Sequence, residues 1–569
     1  MTAIEFVATL VVCLLSYVWP HLANRWFVRA ENTFKLLAHR KALAVASVGL
    51  SVIVLRVAIL PLIPVPLPFD ADDFSTLLGT DTFVHGRLSN PTPAMWTHFE
   101  SLHITMVPTY QTMYFPGQSL LLAAGRVAFG SPWIGQLLAS ALMCAALCWM
   151  LQAWLPANWA LLGGAIAVLR LGIFSYWTNT YHASGSLAAL GGALILGGLP
   201  RLMRKAQVRY ALLLGIGAAI LLLTRPYEGF LLCLPVALVL VRWMWGGKSR
   251  PGAGKTVQLV AAPMAVILLT CVWQGYYDYR AFGNPLVPPY AVNRVEYAMA
   301  PYFVWQNPRP EPAYRYAEMR NFYENDEMGF YRLVHSVKGF VPYTLGKAAF
   351  TLQFYAGFAL LIPLIMAGRV FRDRRVRLAV VCAMVLAAGL AIEIFVLPHY
   401  VAPFTAAFYV IGLQAMRHLR IWKPQGRPVG LALTRLAVAL CVLMAGIRLF
   451  AEPLHIAPQE WPPSNWLFTW YGPEHFGVER AAIEARLERL SGGQLAIVHY
   501  SSNHNPLNEW VYNGADIDHA KVIWARDAGT GGNWELTHYY RDRTVWLVEP
   551  DAVPVRVSPY TVQAIASGK

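Results

Sequence analysis

A chain of 569 residues that is 56% apolar and only 14% charged, with a mean hydropathy of +0.42, is not composed like a water-soluble domain, which carries nearer 25% charged residues. The 46 Lys and Arg outnumber the 31 Asp and Glu to give a net charge of +15. These basic residues sit in short clusters between apolar runs, which argues against nucleic acid as a partner and for the loops of a membrane protein. All seven cysteines lie in apolar segments, so neither a disulfide framework nor a zinc site is legible.

Apolar runs that approach the roughly 20 residues needed to cross a bilayer occur at 2–19, 42–63, 132–153, 158–175, 183–201, 209–224, 227–245, 256–277, 348–368, 376–397, 404–418 and 430–449. The expected fold class is a polytopic α-helical membrane protein of about 12 spans with a small extracytoplasmic α/β domain at its C-terminal end. The first run lacks a basic leading region and a small-residue cleavage site, so it reads as a retained span. Basic clusters follow the odd-numbered runs, for example Arg25 to Lys41, Arg201 to Arg209, Lys248 to Lys255, Arg372 to Arg377 and Arg417 to Arg427. Placing all of them in the cytoplasm satisfies the positive-inside rule. The polar segments 64–131, 278–347 and 450–569 then lie outside. Such an arrangement suits the bacterial inner membrane, with the loops and tail in the periplasm.

Within the first outer loop, residues 117–130 read as a helix at the outer interface rather than a span. The tail alternates a helix (477–490), a strand (495–500), a second strand (521–527), a helix near 533–541 and a third strand (543–549). That alternation predicts a small domain with a mostly parallel sheet. The expected division is a membrane domain at 1–451 and an α/β domain at 452–569.

Asp70, Asp72 and Asp73 stand just outside the second run, in PFDADDFSTLL. Two readings compete. Asp70 is placed to cap a helix beginning near Ala71, with Asp72 and Asp73 in its first turn. Clustered carboxylates also raise the pKa of at least one member by repulsion, which prepares a group for proton transfer. Further along the loop come His98, Glu100, His103, Tyr110, Tyr114, Phe115, Pro116 and Gly117. Interleaved aromatic and imidazole rings at an outer surface suit a pocket for a sugar against a lipid headgroup. An interfacial aromatic belt is the other reading of the tyrosines.

The order of these features resembles the GT-C superfamily of polyprenyl-phosphate-sugar glycosyltransferases, in particular the protein O-mannosyltransferase and lipid A aminoarabinose transferase group (glycosyltransferase family 39-like). Asp72–Asp73 matches the family's acidic pair, and Tyr114–Gly117 (YFPG) matches its Tyr-Pro-Pro stretch imperfectly. The resemblance covers roughly 64–250 and loosens through GNPLVPPY (283–290) and LPHYVAP (397–403). It implies inverting transfer of a sugar from a polyprenyl phosphate at the outer face, to a glycan, lipid or protein acceptor. The same resemblance implies that Asp72 is the base that takes the acceptor proton or orients the hydroxyl, with Asp73 as a supporting carboxylate. A divalent metal ion, if one is used, would be held by Asp72 and Asp73.

A lipid phosphate leaving group calls for cations. Arg225, with Tyr227 and Glu228 beside it, ends the sixth run; Arg170 lies in the outer half of the fourth; His399 sits in LPHYVAP. Charges within a membrane call for a functional hypothesis, while ion pairs of Arg225 with Glu228 or Arg170 with Glu393 are the structural alternative. His103 and Tyr114 complete the expected substrate-binding set. The second outer loop adds Tyr276, Tyr277, Asp278, Tyr279, Arg280, Trp305, Arg309, Arg315 and Arg320, and the tail adds His504, Asn505, Asn508, Glu509, Trp510 and Asp516. Two rival functions remain: a transporter or flippase, and a polymerase or ligase, of lipid-linked glycans. A transporter would line a path across the whole membrane, whereas Arg170, Arg225, Glu393 and His399 gather in the outer half.

Overall fold

The computed structural model describes residues 1–246, 250–451, 453–456 and 477–560. Among these residues six helices are long and apolar enough to cross a membrane: Lys41–Ala58, Pro132–Trp154, Gly185–Lys205, Pro226–Gly246, Ala253–Phe282 and Val429–Leu449. Thr2–Val18, Ala157–Ile173, Val208–Leu222 and Arg377–Ile392 are shorter apolar helices. Apolar side chains such as Leu268, Leu269 and Val272 stand exposed on Ala253–Phe282, the surface a helix presents to acyl chains rather than water.

The expected ninth span, 348–368, is not one straight helix. The helix begins at Val337 and stops at Ala356, and the chain resumes at Ala359 turned by 112°. The break falls on Gly357, whose φ of +55° suits glycine. A Cβ there would also lie 2.3 Å from Glu5 Oε1 and 2.8 Å from Arg170 Nη2. Glycine thus turns the chain and makes room for a buried pair, which hydropathy alone does not reveal.

The segment 64–131, expected as the first outer loop, folds into two helices, Ala71–Val84 and Pro116–Phe129, joined by three short antiparallel strands: β1 (Asn90–Pro91), β2 (Ile104–Thr105) and β3 (Thr109–Thr112). Four strands follow in the tail: β4 (Gln494–Val498), β5 (Val522–Arg526), β6 (Thr544–Glu549) and β7 (Arg556–Pro559). Their order is β5-β4-β6-β7, with the first three parallel and β7 antiparallel. β7 is a strand that the sequence pattern does not announce.

Alternation along β4 and β5 gives the sheet two buried faces. Ala496, Val498 and Trp524 meet Leu487 and Trp510 of the tail itself. Leu495, Ile497, Ile523 and Ala525 meet Leu78, Phe99, Ile104, Met106 and Tyr110 of the first outer loop. Arg526 fastens this contact, ion-paired with Glu509 at 2.5 Å and with Glu318, and donating to the Glu100 carbonyl. One face of the tail's sheet is therefore covered in part by the loop that carries the acidic cluster. The expected boundary at 452 lies outside the described residues.

Candidate active site

Asp70 caps the Ala71–Val84 helix, its Oδ1 accepting from Asp73 N at 2.7 Å. Successive helical residues point about 100° apart, so Asp72 and Asp73 face different neighbours. Asp73 is fully buried, and its Oδ1 accepts from Tyr181 N (2.8 Å), His182 N (3.0 Å) and His182 Nδ1 (2.9 Å). Asp72 turns the other way. Its Oδ1 lies 2.5 Å from His103 Nδ1 and also accepts from the Tyr114 hydroxyl. Oδ2 of Asp72 makes no hydrogen bond among the described residues, and the side chain borders a cavity of about 900 Å³.

Asp70 and Asp72 have been driven apart electrostatically. Burial, and then the Asp73 carboxylate, raises the pKa of Asp70 well above the usual carboxylate range. Burial also opposes ionisation of Asp72, but the His103 ring, its hydrogen bond, His182 and Tyr114 outweigh it and hold Asp72 below that range. Repulsion does raise one member of the cluster, as expected, but that member is the cap. His182 is the local counter-charge: burial disfavours its cation, yet Asp70, Asp73 and Asp72 push its pKa up to about 10.

The large cavity is walled by Tyr114, Tyr290, Tyr302, Phe322 and Tyr400, with Asn505 of the tail at its rim. A second cavity of about 390 Å³ contains Arg225, Tyr227, Glu228 and Glu393, and shares Tyr290, Arg294, Tyr302 and Tyr400 with the first. The Arg225 guanidinium lies 4.0 Å from the centroid of the Tyr400 ring. No carboxylate oxygen lies within ion-pair distance of it among the described residues, so the pairing with Glu228 is not made. The YFPG turn is what brings the two cavities together. Gly117 N donates to the Leu223 carbonyl at 2.8 Å, and a Cβ on Gly117 would lie 2.6 Å from that oxygen. Only glycine lets Tyr114 and Phe115 dock beside Thr224 and Arg225.

Other expected site residues fall elsewhere. Arg170 lies in a π-helical turn, Val168–Ile173, and is fully buried. Its partner is Glu5 at 3.5 Å rather than Glu393, and it borders neither cavity. His399 Nδ1 is 2.7 Å from the Tyr176 hydroxyl, with its ring 5.9 Å from that of His182. Burial, then Arg225 and His182, pushes the His399 pKa well below its usual value, so it is a neutral hydrogen-bonding ring and not a second cation. Arg309 donates to the Arg294 carbonyl, Arg315 pairs with Glu100, and Arg320 with Glu311. His504 pairs with Asp551, Glu509 with Arg526, and Asp516 with His519.

His182, Tyr176, Tyr290, Arg294, Tyr302 and Tyr400 belong to the site or its support without having been singled out in the sequence. Tyr290 and Tyr400 lie inside GNPLVPPY and LPHYVAP, so a signal for them existed. His182 had none, standing at the edge of an apolar run.

Asp72 and Asp73 do not converge on one point and do not form a shared ligand pair. The residues that do converge are Asp70, Asp73 and His182, whose donor atoms lie within 4.8 Å of one another. Such donors suit a divalent ion by type. In the structure Nδ1 of His182 lies 2.9 Å from Asp73 Oδ1, so the three groups are already held together by their own hydrogen bonds.

No protein-family model and no curated protein matches the chain. Solved structures similar to it include the aminoarabinose transferase ArnT from Cupriavidus metallidurans in the apo state, with a TM-score of 0.45, 14% identity and coverage of 88% of this chain and 92% of that one. The same protein bound to undecaprenyl phosphate aligns with a TM-score of 0.44, 15% identity and the same coverage. The Archaeoglobus fulgidus oligosaccharyltransferase in complex with Zn and sulfate aligns with a TM-score of 0.45, 11% identity and coverage of 88% and 67%. Overlap at this level assigns no residue a role, and the chemistry of the site stands on the groups described above.

Proposed function

We propose that the chain is a glycosyltransferase of the GT-C type, moving a sugar from a polyprenyl-phosphate donor to an acceptor hydroxyl with inversion at the anomeric carbon. The observation that carries this reading is a charge separation across one aromatic wall. An anionic carboxylate, Asp72, with one oxygen open among the described residues borders one cavity, and Arg225, with no ion-pair partner among the described residues, borders the other. Tyr290, Arg294, Tyr302 and Tyr400 are common to both.

The two charges match the two ends of the reaction. The acceptor oxygen attacks the anomeric carbon as Asp72 takes its proton, and the bond to phosphate breaks with its electron pair leaving on the phosphate. Arg225, pre-organised by stacking on Tyr400, faces the charge that develops there. Because Asp72 is held below the usual carboxylate range it stays ionised across neutral pH, and serves as a weak base late in the step. Aromatic faces present flat apolar surfaces to sugar rings. No step is routed through a metal. The reading also takes twelve membrane crossings, the basic clusters in the cytoplasm, and the acidic loop and tail in the periplasm of a bacterial inner membrane.

The deciding experiment incubates purified protein with a panel of undecaprenyl-phosphate-linked pentoses and hexoses and measures release of undecaprenyl phosphate. Turnover by the wild type that disappears in Asp72→Asn is expected. Turnover undiminished in that variant, or no donor of the panel consumed, would overturn the reading.

A further inference from the structure

His103 holds a left-handed backbone, with φ at +62°, a conformation that residues with a Cβ seldom adopt. Its carbonyl oxygen is held twice: Ser75 Oγ donates to it at 2.6 Å and Met113 N at 3.1 Å. Ser75 stands one turn beyond Asp72 on the Ala71–Val84 helix. That helix therefore grips the backbone of His103 with one residue and meets its ring with another.

The ring is confined as well, edge-on to Phe322 at 5.4 Å and to Tyr114 at 6.0 Å between centroids. Its Nδ1 and the Tyr114 hydroxyl approach the same oxygen, Oδ1 of Asp72. Among the described residues two neighbours meet one oxygen and no hydrogen bond reaches the other, an asymmetric arrangement, and the unengaged oxygen belongs to a residue bordering the 900 Å³ cavity. Glycine suits this backbone better than histidine does, so the ring is what the position gains from its strain.

We propose that His103, set in its left-handed backbone by Ser75, is a positioning residue that with Tyr114 clamps Oδ1 of Asp72 and leaves Oδ2 to receive the acceptor proton. The inference rests on the reading of Asp72 as the base. In the step it serves, the hydroxyl proton passes to Oδ2, the oxygen's electron pair forms the new glycosidic bond, and the old C–O bond breaks onto phosphate. His103 forms and breaks no bond in it. Its contribution is to keep the open lone pairs of Asp72 aimed into the cavity, the kind of alignment on which near-attack geometry depends.

The test compares His103→Gly, His103→Asn and Asp72→Asn, using the undecaprenyl-phosphate sugar that the wild type consumes. Glycine fits the backbone but removes the ring; asparagine tolerates the same backbone and puts an amide nitrogen near the place of Nδ1. His103→Gly is expected to melt no lower than the wild type while kcat falls about 10²-fold and KM for the donor moves by less than about threefold. His103→Asn is expected to recover most of kcat. A structure of His103→Gly should show the Asp72 carboxylate turned away from its wild-type orientation, and His103→Asn should restore it. Wild-type kcat in His103→Gly, a change confined to KM, or an unmoved carboxylate would overturn the proposal. If Asp72→Asn remains active, the base reading itself fails. If Asp72→Asn is dead and His103→Gly normal, only the positioning role fails.

Discussion

Asp72 in the first outer loop and Glu31 on the Asn24–His39 helix are both carboxylates held below their ordinary pKa, yet they are saturated to different degrees. Glu31 takes Arg420 on both oxygens at 3.0 Å and Arg435 at 2.9 and 3.2 Å. Burial disfavours the Glu31 anion, and the two arginines more than offset it, bringing its pKa to about 2. No oxygen is left for chemistry, and the group ties three helices together. Asp72 has both its neighbours on one oxygen and a cavity before the other. Ionisation alone therefore does not mark a reactive carboxylate. What marks it is incomplete satisfaction beside a space large enough for a ligand.

The contrast is sharpest in Asp72→Asn, which should lower kcat by about 10²–10⁴-fold; Glu31→Gln should leave kcat unchanged. Replacing the cation across the wall comes next. Arg225→Gln is expected to cost about 10²–10³-fold in kcat, and Arg225→Lys should recover only part, since an ammonium lacks the flat face that stacks on Tyr400. Measuring undecaprenyl phosphate release across these variants checks both.

A smaller effect is expected from pH. The pKa of His182 is raised to about 10, from an ordinary value of about 6.5. Its stabilisation is therefore complete below the ordinary value and is lost as pH rises through about 10. The thermal midpoint of the wild type should fall across that window, and the dependence should flatten in His182→Gln, which starts lower at neutral pH. A wild-type midpoint that stays level to pH 10 would remove His182 as the counter-charge.

The least effect belongs to Glu31→Gln. Glu31 is about a third exposed, so solvent screening reduces the loss to about 1 kcal/mol. The stabilisation is present above the ordinary glutamate pKa and is lost as pH falls toward 2. Transfer activity should be unchanged; a loss comparable with that of Asp72→Asn would break the distinction between saturated and open carboxylates.

Several of these features are legible before any folding. Helices need only local composition, and each of the twelve apolar runs coincides with helical chain in the structure except the ninth, broken at Gly357. Asp70 as a cap follows from its position before an apolar helix. The pairing of Arg170 was not legible, because Glu5 lies 165 residues away in the chain. Nor was His182, whose partners Asp70 and Asp73 are more than a hundred residues upstream, or the packing of Leu78, Phe99 and Ile104 against one face of the tail's sheet.

The acidic cluster shows where the division falls. Sequence by itself determined that three carboxylates stand at a helix start next to an apolar run, since capping and hydropathy are properties of neighbours along the chain. Which carboxyl has its pKa raised, which is buried against an imidazolium and which faces a cavity was decided only by the tertiary structure. Burial and Coulomb interactions depend on distance in space, and His103, Tyr114 and His182 reach Asp70, Asp72 and Asp73 only after the loop and helices have packed.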